Sequence, residues 1–186
     1  MADRPPMALT LKRSHARYLR YALWFGAVLV LLLALRRRSS GPELGHVAPD
    51  FALPIVDGTD QRFHLAEARG TPVVIEVFAS WCGSCQRIAP VLTEAAQATR
   101  ARTVRFLGVS VDDSAERASS VKRSWNIPYD VVLDDGSFSR SFAITLLPTI
   151  VVVDEDGKVR HVTSGGIERE RLEEWLADVG APLRSN

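Results

Sequence analysis

An α/β sandwich built on a mixed central sheet, preceded by one N-terminal transmembrane helix, is the fold class that this sequence predicts. Three observations carry it. Strand-type and helix-type runs alternate along the C-terminal part of the chain, the pattern of parallel strands joined by crossover helices. A turn sequence, Asp154-Glu155-Asp156-Gly157, joins the last two strand signals and sets them antiparallel. Finally, residues 21–35, YALWFGAVLVLLLAL, carry no charge, and arginines stand at both ends of the run.

The apolar run comes first in the chain. At 1.5 Å per residue it spans roughly 23 Å, short of the ~30 Å hydrocarbon core, a mismatch that snorkelling arginines and local thinning absorb. Tyr18 and Leu19 extend it if Arg20 snorkels. A cleaved signal peptide shares its basic flank and apolar core but needs a small-residue cleavage site, whereas Arg36, Arg37 and Arg38 follow directly. A buried core helix is disfavoured, because apolar side chains cover every face of the run and arginines stand at both ends. An uncleaved signal anchor over residues 18–35 is therefore the preferred reading, with cleavage as the alternative. Arg4, Lys12, Arg13, Arg17 and Arg20 precede the run and three arginines follow it, which favours a cytoplasmic N-terminus. Residues 1–17 are then a cytoplasmic basic tail, and residues 45–186 lie on the extracytoplasmic side of the cell membrane, as the periplasmic side of a single-pass protein.

The net charge of +1 conceals an asymmetry, because residues 1–44 carry +6 and the remainder −5. A net-negative domain without basic clusters is a poor nucleic-acid binder. The positive charge belongs to membrane topology.

Residues 36–44, RRRSSGPEL, read as a polar linker, and residues 45–186 as one domain. Within it, residues 73–78 (VVIEVF) form an apolar strand with a single acid. Residues 82–98 follow as a helix, with Ile88, Val91, Leu92, Ala95 and Ala96 on one stripe. Residues 104–111 (VRFLGVSV) give a second strand, 115–125 a helix and 129–133 a short strand. Leu147-Pro148 leads into the strand 149–153 (TIVVV); the acidic turn sends the chain into 159–162, and an amphipathic helix, 168–179, closes it.

Both cysteines of the chain, Cys82 and Cys85, sit in FASWCGSCQRIAP where the first of these strands gives way to its helix. Two cysteines cannot close a four-ligand zinc site, and the histidines His15, His46, His64 and His161 show no ligand spacing. An inert structural disulfide across so short a loop would remove little entropy from the unfolded chain. A redox pair has a physical basis. Cys82 would stand at the helix N-terminus, where unpaired N–H groups and the dipole stabilise a thiolate, and Cys85 lies one turn along on the same face.

Trp81-Cys82-x-x-Cys85 after an apolar strand, Pro90 within the helix and Leu147-Pro148-Thr149 further on resemble the thioredoxin fold. More closely, the sequence resembles the membrane-anchored TlpA/ResA-like proteins of the redoxin superfamily. Gly45-x-x-Ala48-Pro49-Asp50-Phe51 resembles the family opening, Asp57-Gly58 and Leu65 follow in place, and residues 109–113 with the helix after them resemble its insertion. The resemblance implies a thioredoxin-like three-layer sandwich with a redoxin-type insertion. It makes Cys82 the nucleophile and Cys85 the resolving thiol, with Pro148, cis in the family, against the pair. Leu147 would offer backbone hydrogen bonds to a substrate peptide, and Trp81 an apolar lip, unless Trp81 is ordinary core. Glu76, six residues before Cys82, stands where thioredoxins place a buried aspartate. It reads as a proton shuttle for Cys85 with a desolvation-raised pKa, or else as a strand-end acid reaching solvent. Ile88 replaces the glutamate of ResA-like proteins, and Gly83-Ser84 lacks thioredoxin's proline.

The implied activity is thiol–disulfide exchange with exported protein thiols or disulfides, with a transmembrane thiol reductase as electron donor and no cofactor beyond the Cys82–Cys85 disulfide. The alternative is a peroxiredoxin-like thiol peroxidase, although Ala79 stands where that family has threonine. A copper chaperone would need one more residue between the cysteines.

Overall fold

The computed structural model describes residues 14–36, 43–57, 60–99 and 103–183. Most of the expected basic tail and linker, together with Gly58, lie outside the described residues. The chain divides into two units, residues 1–39 and 40–186.

The first unit contains helix α1, Ser14–Arg36. From Arg20 to Val30 its side chains are exposed, save half-buried Val28. Among the described residues, no helix is long and apolar enough to cross a membrane.

The second unit is a thioredoxin-like α/β fold. Its strands are β1 (Ala52–Pro54), β2 (Arg62–His64), β3 (Val73–Phe78), β4 (Arg105–Ser110), β5 (Asp130–Leu133), β6 (Thr149–Val153) and β7 (Val159–Ser164). Helix α2 (Gly83–Ala98) links β3 to β4, α3 (Ala115–Ser124) links β4 to β5, α4 (Ser137–Ser141) precedes β6, and α5 (Arg169–Asp178) closes the fold. The main sheet has the order β5-β4-β3-β6-β7. β3, β4 and β5 are parallel, whereas β6 is antiparallel to both β3 and β7. Two successive crossovers in the same direction put α2 and α3 on one face, since right-handed connections allow only that side.

Alternation along β3 sorts the core. Val73, Ile75 and Val77 point into a cluster with Phe51, Leu53, Phe63, Phe138 and Phe142. Val74 and Phe78 point the other way, Val74 toward Leu92 of α2 and Leu172 and Leu176 of α5, and Phe78 toward Ala118 and Val121 of α3. Glu76 shares the second face by period two. On α2 the buried stripe is Cys85, Ala89, Leu92 and Ala95, with Ile88, Val91 and Ala96 half-buried beside it. Cys85 is therefore a core residue by helical period, which shields its sulfur.

Three features were not expected from the sequence. The β1–β2 hairpin, the 3-10 turn Leu65–Ala68 and α4 cover the face opposite α2. The chain after β1 also bonds to β5, Val56 N–H donating to Val131 C=O at 2.9 Å, which covers that sheet edge. α4 is set by its cap. Gly136 adopts the left-handed region (φ 85°) and Asp134 accepts hydrogen bonds from the N–H groups of Gly136, Phe138 and Ser139. That cap turns Phe138 and Phe142 inward, stacked on each other at 4.2 Å, with Phe51 edge-on to Phe138.

Candidate active site

β3 ends at Phe78, and its last carbonyls lead into a loop of three residues before the pair. Cys82 is the N-cap of α2 (φ −87°, ψ 94°), and its Sγ accepts the Cys85 N–H at 3.2 Å. The Ser84 hydroxyl lies 3.4 Å from the same sulfur. Cys82 and Cys85 are joined as a disulfide with Cα atoms 5.3 Å apart. Cys82 keeps 6 % exposure and Cys85 none. The cysteine that retains some access to solvent is thus the one whose sulfur faces the helix N–H groups.

Trp81 is 70 % exposed, which removes the core-packing reading and leaves its indole beside the pair as open apolar surface. The Leu147–Pro148 peptide bond is cis. Leu147 packs against the cluster that holds Cys82 and Cys85, and Pro148 is buried. The Thr149 hydroxyl donates to Leu146 C=O (2.8 Å), and Gly165 N–H donates to Pro148 C=O (2.8 Å), so both ends of this loop are tied down. Leu147 makes no main-chain hydrogen bond among the described residues. Beyond Gly165 a groove of about 520 Å³ is lined by Ile88, Gly165, Gly166, Ile167, Glu168 and Arg171. Ile88, one turn past Cys85, gives it an apolar wall.

Glu76 is 1 % exposed, so it does not reach solvent at a strand end. Its Oε2 accepts the Tyr129 hydroxyl at 2.9 Å, while Oε1 is enclosed with no partner. Burial pushes the carboxyl from 4.5 up to about 7, against the lowering effect of the Tyr129 hydrogen bond. Tyr129 itself is pushed well above its usual value, chiefly by burial and then by the Glu76 charge. Tyr129 also packs against the cluster containing both cysteines.

Two functional candidates escaped the sequence reading. In the sequence Tyr129 marks only the start of a strand. The second is Asp112, whose carboxylate accepts the Ser80 N–H (3.0 and 3.1 Å), the Ser80 hydroxyl (2.6 Å) and the Ser110 hydroxyl (2.8 Å). Asp112 is 6 % exposed and fastens the loop before Cys82 to the end of β4. The signal in the sequence was the polar Ser110-x-Asp112 at the end of an apolar strand. An Asp112→Ala variant leaves three donors unpaired, and we expect a loss of roughly 2–4 kcal/mol, read as a lower urea midpoint at unchanged slope. Ser80→Ala, which removes one of the three, should cost about 1 kcal/mol.

A thioredoxin-like fold with a C-x-x-C disulfide at a helix N-terminus and a cis-proline loop beside it defines the class. The chain belongs to the AhpC/TSA family, whose model matches residues 44–162. Among curated relatives, the thiol:disulfide interchange protein DsbE of Xylella fastidiosa is 28% identical over 165 residues, covering 84% of this chain and 82% of the relative. The thiol-disulfide oxidoreductase ResA of Bacillus thuringiensis is 24% identical over 138 residues, covering 74% of this chain and 79% of its own. Among solved structures, a thiol:disulfide interchange protein of the thioredoxin family from Chlorobium tepidum superposes with a TM-score of 0.65. It is 23% identical, over 76% of this chain and 98% of its own, a likeness of fold.

Proposed function

We infer that the protein is a thiol–disulfide oxidoreductase of the ResA/DsbE type, working through Cys82 and Cys85. The observation that carries this is the disulfide capping α2, with Cys82 at the helix N-cap and Cys85 fully in the core. In the reducing direction, the Cys82 thiolate attacks a substrate disulfide; a mixed disulfide forms and the first substrate thiolate leaves and takes up a proton. Cys85 then gives its proton to the Glu76 carboxylate and attacks Cys82 Sγ. The Cys82–Cys85 bond forms, and the second substrate sulfur departs with the proton returned. Two electrons pass from the protein dithiol to the substrate, and the reverse sequence oxidises a substrate dithiol.

Leu147, with its unpaired backbone, is assigned to hydrogen-bond an extended substrate segment; Pro148 shields the pair and Trp81 offers apolar contact. No cofactor is required beyond the disulfide. The substrates are exported protein thiols or disulfides, and a transmembrane thiol reductase supplies the electrons.

The test is turnover. The reduced protein should reduce a protein disulfide, or its oxidised form should oxidise a protein dithiol, in a Cys82-dependent manner. Rapid Cys82-dependent consumption of peroxide without disulfide exchange would replace this reading by the thiol peroxidase.

We also propose that residues 18–35 anchor the chain in the cell membrane, with residues 45–186 on the periplasmic side. The uncharged run between arginine clusters and the exposed apolar side chains of α1 support it. A periplasm-dependent reporter fused after Asn186 should be active; activity of a cytoplasm-only reporter there would overturn the topology.

A further inference from the structure

Glu76 has two oxygens in different situations, and the difference follows from one neighbour. We propose that Tyr129 is the positioning residue of this acid: its hydroxyl holds Oε2 and so makes Oε1 the oxygen that exchanges a proton with the cysteine pair. The proposal rests on the oxidoreductase reading above and adds to it the group that orients the acid.

The geometry is specific to this chain. Glu76 pairs with Gly108 in the parallel register of β3 and β4, and Gly108 pairs with Val131 of β5. A Cβ at Gly108 would meet the Phe78 ring at 2.9 Å and Val131 Cγ2 at 3.1 Å, with the Tyr129 ring 3.7 Å away. The bare strand at Gly108 thus leaves room for Phe78 and Val131, with the Tyr129 ring in contact distance over the same strand. Phe106, two residues earlier on the same face, packs on that ring at 5.7 Å between centroids. Phe106 thus supports the ring of the tyrosine, whose hydroxyl contact with Glu76 spans 53 residues of sequence.

The chemistry follows from who donates. An O–H aimed at Oε2 makes that oxygen an acceptor whether the carboxyl is charged or neutral, so the titrating proton resides on Oε1. Oε1 is the buried atom without a partner. Tyr129, pushed well above its usual value, stays protonated and does not compete for the proton. On the sheet face that Glu76 shares, α2 turns Cys85, Ala89 and Leu92 inward, β6 contributes Ile150 paired with Glu76, α3 contributes Ala118 and Val121, and α5 contributes Leu172 and Leu176. Tyr129 and the cysteine pair are therefore the titratable groups among the residues named on this face. Because the Tyr129 bond favours the carboxylate, its removal drives the acid further toward the neutral form, which cannot accept a proton from Cys85.

Tyr129→Phe keeps the ring and removes the hydroxyl. The Glu76 carboxyl can be titrated by infrared difference spectroscopy on the full chain in detergent, alongside the pH profile of mixed-disulfide resolution. Its midpoint, about 7 in the parent protein, should rise by about one pH unit in Tyr129→Phe, the effect of losing one hydrogen bond to a charged group. Resolution at neutral pH should slow about fivefold and recover at higher pH, the change in ionised fraction for that shift. In a Glu76→Gln background, Tyr129→Phe should leave the pH profile unchanged. A carboxyl midpoint that does not move overturns the proposal. A midpoint that moves while the resolution profile stays fixed overturns instead the proton transfer assigned to Glu76, which separates the two failures.

Discussion

A Cys85→Ser variant should accumulate covalent complexes with its substrates, held through Cys82, and its turnover should fall by about a thousandfold or more. The expectation follows from the unequal burial of the two sulfurs. Cys82 has 6 % exposure and caps α2, where the Cys85 N–H and the Ser84 hydroxyl lie against its sulfur. Once the pair is reduced, those donors and the helix dipole are placed to favour a thiolate at Cys82. Cys85 sits on the buried stripe of α2 without exposure, bonded to Cys82. Removing Cys85 therefore leaves attack intact and removes resolution, so the mixed disulfide persists. Cys82→Ser should trap nothing, because the remaining thiol meets no substrate. Alkylation of the reduced protein at about pH 6–7 should label Cys82 first. Preferential labelling of Cys85 would reverse the two roles.

The parts of this site that could be read in the sequence are those fixed by local order. A strand that runs into Cys82 and a helix that starts just after it put one sulfur at the N-cap; spacing alone puts the other one turn along. The final hairpin was visible because Asp154-Glu155-Asp156-Gly157 is a turn by its own chemistry, and Gly157 takes φ 75° there. The parts that were missed depend on distant residues. Nothing near Tyr129 announces a contact with Glu76, because the contact exists only when β4 places Gly108 between them. Asp112 looked like an ordinary acid after a strand; its role comes from Ser80, brought to it by the pairing of β3 with β4. α4 was invisible for another reason. Five residues make too short a period to detect, and the helix depends on the Asp134 carboxylate and on Phe51, contributed from the far side of the sequence.

The largest effect away from the cysteines should come from Glu76→Gln, and it should appear in two measurements of opposite sign. The first is rate. The carboxyl lies on the α2 face of β3 with one oxygen unpartnered, and at about 7 it is divided between its two forms near neutral pH, where an acid–base group works best. Glutamine keeps the shape and accepts the Tyr129 hydrogen bond but cannot carry a proton. Release of the mixed disulfide should slow by roughly ten- to a thousandfold near neutral pH. The second is stability. Burial raises the folded value above the unfolded 4.5, so between 4.5 and about 7 the native state retains a proton that the unfolded state has lost. Stability therefore falls as pH rises through that window, by up to about 3 kcal/mol, and stays lower above it. Glu76→Gln removes this dependence. Its melting temperature should exceed that of the parent protein at about pH 8, and the difference should vanish below the unfolded value, where both side chains are neutral. A variant slower in resolution yet more stable in mild base identifies an acid retained in the core for its proton. Equal turnover together with equal melting temperature at about pH 8 would show that the carboxyl neither titrates in the core nor takes part in the exchange.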